Sequence, residues 1–95
     1  MIEMTTSPIS PNELRKKLFD AGAGAYCGFE GWIRNENEGQ AVQRLEYEAY
    51  EPLALSEGKK ILAEAKNRFP HLQAHCVHRT GMLEIGECAV WVGVS

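Results

Sequence analysis

Phe29-Glu30-Gly31-Trp32-Ile33-Arg34-Asn35-Glu36-Asn37-Glu38-Gly39-Gln40-Ala41-Val42-Gln43-Arg44-Leu45-Glu46-Tyr47-Glu48-Ala49-Tyr50 holds the densest set of special residues in the chain. Gly31 interrupts an apolar run, where a missing side chain signals a bulge or a close backbone approach. Arg34 follows at the strand end, and its planar guanidinium suits carboxylates and phosphates. Asn35 to Gly39 is a polar turn, with Gly39 able to take positive φ. From Gln43 to Tyr50 polar and apolar residues alternate: Leu45, Tyr47 and Ala49 on one side, Arg44, Glu46, Glu48 and Tyr50 on the other. The prediction is two strands joined by a loop that Arg34 heads.

Outward from this run, Ala25 to Ile33 is predicted to be a buried strand, with bulk from Tyr26, Cys27, Phe29, Trp32 and Ile33. Downstream, Pro52 ends the second strand or opens a helix. Leu55, Gly58, Leu62, Ala65 and Phe69 then recur at helical spacing until Pro70 stops the helix. Gly58 on that stripe implies close helix–sheet contact, since a mid-helix glycine otherwise costs stability. His71 to Arg79 is a third extended segment, with Ala74, Cys76 and His78 sharing a face. Thr80-Gly81 turns the chain, Met82 to Ile85 makes a short strand, and Gly86-Glu87 turns again. Cys88 to Val94 is apolar on both faces, which predicts a central strand covered on both sides. Upstream, Ser10-Pro11-Asn12-Glu13 has the form of a capping box opening a helix that carries Leu14 and Leu18 and stops near Ala21-Gly22. Residues 1–9 are predicted to be a flexible N-terminal arm, and residues 10–95 one α+β domain of two helices on a mainly antiparallel sheet.

A chain of 95 residues is one small domain. With acids and bases interspersed and a net charge of −3, it has no basic stripe for nucleic acid. No apolar run approaches the ~20 residues of a membrane helix. Cys27, Cys76 and Cys88 form no C-x-x-C pair and sit in apolar strands, which argues for free thiols in a reducing, cytoplasmic setting. A domain this small with open strand edges gains from pairing them, so a homodimer is expected.

Arg34 has two readings: an anion fork, or a surface cation paired with Glu36 or Glu38 at little energetic gain. His71, His75, Cys76 and His78 are crowded, but strand alternation turns His75 away from Cys76 and His78, so no metal site is assigned. Glu46 and Glu48 share a face with Arg44, the pattern of a solvated, cross-strand-paired surface. No phosphate loop or nucleophile elbow is present.

The pattern Phe29-x-Gly31-x-x-Arg34-Asn35-x-Asn37-x-Gly39, followed by Leu45-Glu46-Tyr47-Glu48-Ala49-Tyr50, resembles the large (catalytic) subunit family of molybdopterin synthase. Asn67-Arg68-Phe69-Pro70 and His78-Arg79-Thr80-Gly81-Met82-Leu83-Glu84-Ile85-Gly86-Glu87 match in the same order. The resemblance implies an α/β-hammerhead-like fold with a small extra β subdomain. It implies a sulfurtransferase of molybdenum cofactor biosynthesis, which passes sulfur from a thiocarboxylated, ubiquitin-like small subunit to precursor Z to form molybdopterin. A homodimer of large subunits with two carriers makes a heterotetramer, and no metal or organic cofactor is consumed. Trp32, Ile33 and Arg34 would bind the pterin phosphate or the carrier's tail, while His78 and Arg79 would be mainly structural. The family's catalytic lysines correspond to positions past Ser95, so residues 1–95 alone are not expected to turn over substrate. The alternative is a non-catalytic binding or scaffold protein of the same fold, and a weaker one is an unrelated small-molecule-binding domain.

Overall fold

The computed structural model describes the backbone of residues 1–37, 40–41, 44–47 and 51–95, and the side chains of 1–36 and 51–95. In chain order the elements are β1 (Ile2–Thr5), α1 (Pro11–Leu18), β2 (Cys27–Trp32), β3 (Glu36–Asn37), β4 (Gln40–Ala41), β5 (Arg44–Tyr47), α2 (Glu51–Arg68), β6 (Ala74–Arg79), β7 (Gly81–Glu84) and β8 (Cys88–Val94). Four strands form the main sheet in the order β1-β6-β8-β2. Within this sheet β1 and β6 run parallel, while β6–β8 and β2–β8 are antiparallel. Two short ribbons stand apart, β3 with β4 and β5 with β7. The α+β architecture and the mainly antiparallel sheet are as expected.

The core forms where β8 meets β6 and α1. Trp91 is 1% exposed and stands directly across from Val77, and Leu18 of α1 closes over both. Ile9, Leu14 and Cys88 pack around this cluster. Along β8, Ala89, Trp91 and Gly93 are buried and Cys88, Val90, Val92 and Val94 half-buried. The strand is central as predicted, but one face is closed far more fully than the other. Gly93 is required by its neighbour: a Cβ there would stand 2.4 Å from the Trp91 ring and 3.1 Å from Leu18 Cδ2.

Residues 1–5 correct the flexible arm. Ile2–Thr5 completes the sheet beside β6, with Cys76 N donating to Met1 O at 2.9 Å and Thr80 N to Thr5 O at 2.8 Å. The cause is the open edge that β6 would otherwise present, together with the apolar–polar alternation of Ile2-Glu3-Met4-Thr5. β2 corrects the buried strand. Among the described residues it is an edge paired with β8 alone, and Phe29 is 60% and Trp32 67% exposed. The Arg34 loop joins β2 to β5 in sequence, but each finds a different partner, β8 and β7. The sidedness of Leu45, Tyr47 and Ala49, the carboxylates of Glu46 and Glu48, Tyr50 and the turn at Gly39 lie outside the described residues.

Both helices occur where periodicity places them, with different ends. Ser10 precedes α1 with extended φ and ψ, but its hydroxyl makes no capping hydrogen bond, and the helix closes at Leu18 rather than near Ala21-Gly22. Glu51 and Pro52 open α2. Gly58 is buried against β1, where an added Cβ would meet Ile2 Cδ1 at 2.1 Å, the close helix–sheet approach its position implied. No described helix is long and apolar enough to cross a membrane.

Gly93→Ala should destabilise the domain by about 1–3 kcal/mol, because Trp91 is too enclosed to yield to an extra methyl without strain. Equilibrium urea unfolding measures this, and a loss under about 0.5 kcal/mol would show that the Trp91 packing is looser than described.

Candidate functional site

The candidate site is built where β2 leaves the main sheet. Gly31 allows the two strands to close, since a Cβ there would stand 2.7 Å from Val90 Cγ1. The register between β2 and β8 shifts between Gly31 and Trp32, the bulge that this glycine suggested. Trp32 projects outward, and its indole Nε1 donates to Glu30 Oε1 at 3.0 Å. Ile33 turns inward to 4% exposure and forms a second small core with Leu83 and Ala89. Arg34 is exposed again. Of the three predicted site residues, Trp32 and Arg34 present side chains to solvent, and Ile33 anchors the segment between them. Phe29, read in sequence as core bulk, is another exposed aromatic on the same edge.

The backbone of Ile33 is tied to the turn between β7 and β8. Ile33 N donates to Glu87 O at 3.1 Å, and Gly86 N donates to Ile33 O at 2.8 Å. Gly86 has φ +84°, a conformation that glycine adopts without strain. The Glu87 carboxylate organises this turn: Oε1 accepts from Glu84 N at 2.8 Å, and Oε2 pairs with Nη1 of the buried Arg79. The Glu84 amide first, then the Arg79 guanidinium, hold the Glu87 carboxyl below its usual range. The salt bridge expected of Arg79 is present, and His78 Nδ1 lies 2.8 Å from the Arg79 carbonyl oxygen.

The histidines do not converge. On β6, His75 lies on the buried face and Cys76 and His78 on the half-buried one. His75 meets the Trp91 ring edge-on at 5.7 Å between centroids, and Glu3 Oε1 stands 3.6 Å from its Nε2. Burial pushes its pKa down, against the opposing pull of Glu3. Among the described residues no three metal-ligating side chains gather. Burial also raises the thiols of Cys76 and Cys88, which disfavours the thiolate. A cavity of about 600 Å³ opens at the other end of β2, beside Tyr26, Phe19 and Arg15, and does not include Arg34.

An exposed guanidinium just past a strand end, two residues along from an exposed indole, is chemically suited to hold an anion such as a phosphate or a carboxylate. Sequence comparison narrows that chemistry: the family model described as MoaE protein matches residues 4–95. The chain belongs to the MoaE protein family. The molybdopterin synthase catalytic subunit of Bacillus subtilis (strain 168) is 41% identical over 93 residues, covering 98% of this chain and 59% of the relative. The crystal structure of molybdopterin synthase from Staphylococcus aureus superposes with a TM-score of 0.89 at 33% identity, over 98% of this chain and 68% of that one. The molybdopterin biosynthesis MoaE protein from Burkholderia ambifaria MC40-6 gives a TM-score of 0.87 at 28% identity, over 98% and 61%. The MoaE fold accounts for nearly every residue here, while the chain spans about three fifths of the length of the Bacillus relative.

Acid should destabilise this MoaE domain in two windows. The folded pKa of His75 is lowered, so the unfolded chain binds the extra proton more readily, and stability present above about pH 6.5 is lost as pH falls below it. Glu87 is also lowered, so its contribution persists to lower pH and is lost below about pH 4.5. Melting curves from pH 7.5 to 5.5 should show a falling midpoint in the parent and a flatter profile in His75→Gln; identical slopes would remove His75 as the cause.

Proposed function

We propose that this chain acts as the large, catalytic subunit of molybdopterin synthase in the cytoplasm. It would take part in transferring sulfur from the thiocarboxylate of a small ubiquitin-like carrier to precursor Z, a pterin monophosphate. The observation that carries this reading is the placement of Arg34: exposed, at the end of β2, and held through Ile33 in the motif that the family resemblance singles out. The relatives' description as catalytic subunits supports a partner subunit.

In this reading Arg34 holds the substrate phosphate or the inserted carrier tail by charge-assisted hydrogen bonds, and Trp32 offers its indole face beside it. Ile33 contributes as an anchor, its side chain being enclosed by Leu83 and Ala89. A guanidinium stabilises both the bound anion and the charge that develops when sulfur attacks, without itself exchanging a proton. The chain also pairs with a second copy of itself, because β2 exposes Phe29 and Trp32 along an open edge.

Arg34→Ala should weaken binding of the pterin phosphate or of the carrier's C-terminal tail about 10- to 100-fold, the loss of one charge-assisted partner. Its melting temperature should stay close to the parent's. Calorimetric titration with thiocarboxylated carrier and with precursor Z measures both arms. Unchanged affinity for each ligand would overturn the assignment. For self-association, sedimentation showing only monomer at about 50 µM, well above the Kd of a stable dimer, would remove the homodimer.

A further inference from the structure

The backbone that leads into Arg34 is held at Ile33 by the turn that Glu87 organises. Arg79, at the end of β6, donates from Nη1 to Glu87 Oε2, and Glu87 Oε1 accepts from Glu84 N at 2.8 Å. The same residue's carbonyl accepts from Ile33 N at 3.1 Å, and the preceding Gly86 N donates to Ile33 O at 2.8 Å. One carboxylate therefore fixes the turn, and the turn fixes both backbone polar groups of the residue before Arg34. Around this chain of bonds, Ile33 is pinned by Leu83 and Ala89.

We propose that Arg79 and Glu87 are positioning residues for Arg34, a half-buried ion pair that sets the course on which the backbone carries Arg34 out of the sheet to meet an anion. The inference rests on the anion-holding role proposed for Arg34. Two features favour positioning over stability alone. The Arg79 side chain is 11% and that of Glu87 31% exposed, so solvent screens the pair and its net stabilisation is small, whereas its geometry is restrictive. Arg79 Nε is also buried with no hydrogen-bond partner among the described residues, so Glu87 is the carboxylate that compensates this guanidinium. Displacing a bound group by about 1 Å is enough to lower the efficiency of a site markedly. The lowered pKa of Glu87 keeps the pair charged across the neutral range.

The test uses inorganic phosphate as the probe, titrated into the purified chain and followed by NMR, with amide exchange recorded on the same samples. Glu87→Gln keeps the size and one acceptor but removes the charge. It should raise the phosphate Kd about 2- to 10-fold, the partial loss of a hydrogen bond, and speed exchange at the Ile33 and Gly86 amides. Arg79→Lys, which keeps the charge and loses the fork, should move both readouts in the same direction and takes over if Glu87→Gln fails to fold. Val77→Ala, in the separate Trp91 cluster, should lower the melting temperature with no change in phosphate affinity. Arg34→Ala serves as the reference for the site itself. If Arg34→Ala weakens phosphate binding and neither clamp variant does, the positioning role is overturned and the anion site stands. If Arg34→Ala has no effect, the anion site falls and the positioning role with it. An effect of Val77→Ala as large as that of Glu87→Gln would assign the change to general stability and overturn the proposal.

Discussion

Everything in this domain leans on β8. It is flanked on both sides, by β6 and β2, so its backbone groups are met along nearly the whole strand without recourse to water. Its inward face supplies Trp91, which brings β6 and α1 together through Val77 and Leu18. An enclosed indole removes roughly 150–250 Å² from water. At about 25 cal/mol per Å² that is roughly 4–6 kcal/mol of gross stabilisation. The net stability of a small domain is about 5–15 kcal/mol, so one side chain offsets a large share of the ordering cost. Gly93 is the corollary. The same strand must thin beside the indole, and the cross-strand position opposite Gly93 is His75, whose ring stacks edge-on to Trp91. A buried imidazole in that place is tolerated as long as it stays neutral.

Periodicity carried most of this into the sequence. The α2 stripe with Gly58, the turns at Gly81 and Gly86, the alternation of β6 and the apolar β8 each follow from side-chain spacing, and spacing is local. What failed was whatever depends on a distant partner. β1 has only four residues, and its strand character is decided by the edge of β6, more than seventy positions away. β2 has the aromatic content of a core strand, yet it lies at an edge, because composition reports affinity for a sheet and not position within it. The capping box at Ser10 failed differently: the residue types are right, but the hydroxyl does not reach an amide. A hydrophobic anchor at Leu18 fixes α1 without it.

The site shows the same division. Arg34 and Gly31 stood out from the chain alone, the first as an anion fork and the second as a bulge. Ile33 was grouped with Trp32 and Arg34 by the family resemblance, while its burial is set by Leu83 and Ala89, on strands that follow much later. Nothing local distinguishes an inward residue from an outward one once a bulge has shifted the register. The importance of Glu87 was hidden for a related reason. In sequence it is a surface acid after a turn glycine; in space it bridges Arg79, Glu84 and, through its carbonyl, Ile33.

That bridge bears on how a thinly built domain would hold steady the cation proposed for its site. Clusters around Trp91 and around Leu83 are separate, and the second is small: Ile33, Leu83 and Ala89. Apolar contacts among three such side chains specify burial but not direction, because dispersion and hydration are nearly isotropic. Hydrogen bonds are directional, and an ion pair with a forked donor is more so. Placing Arg79 and Glu87 behind Ile33 therefore adds orientation where the small core alone leaves it underdetermined. The arrangement has a cost, since the Arg79 guanidinium is desolvated and its Nε finds no partner among the described residues. A sequence selected for stability alone would fill the space with apolar volume. One that must present Arg34 in a single direction gains from the charged pair in its place.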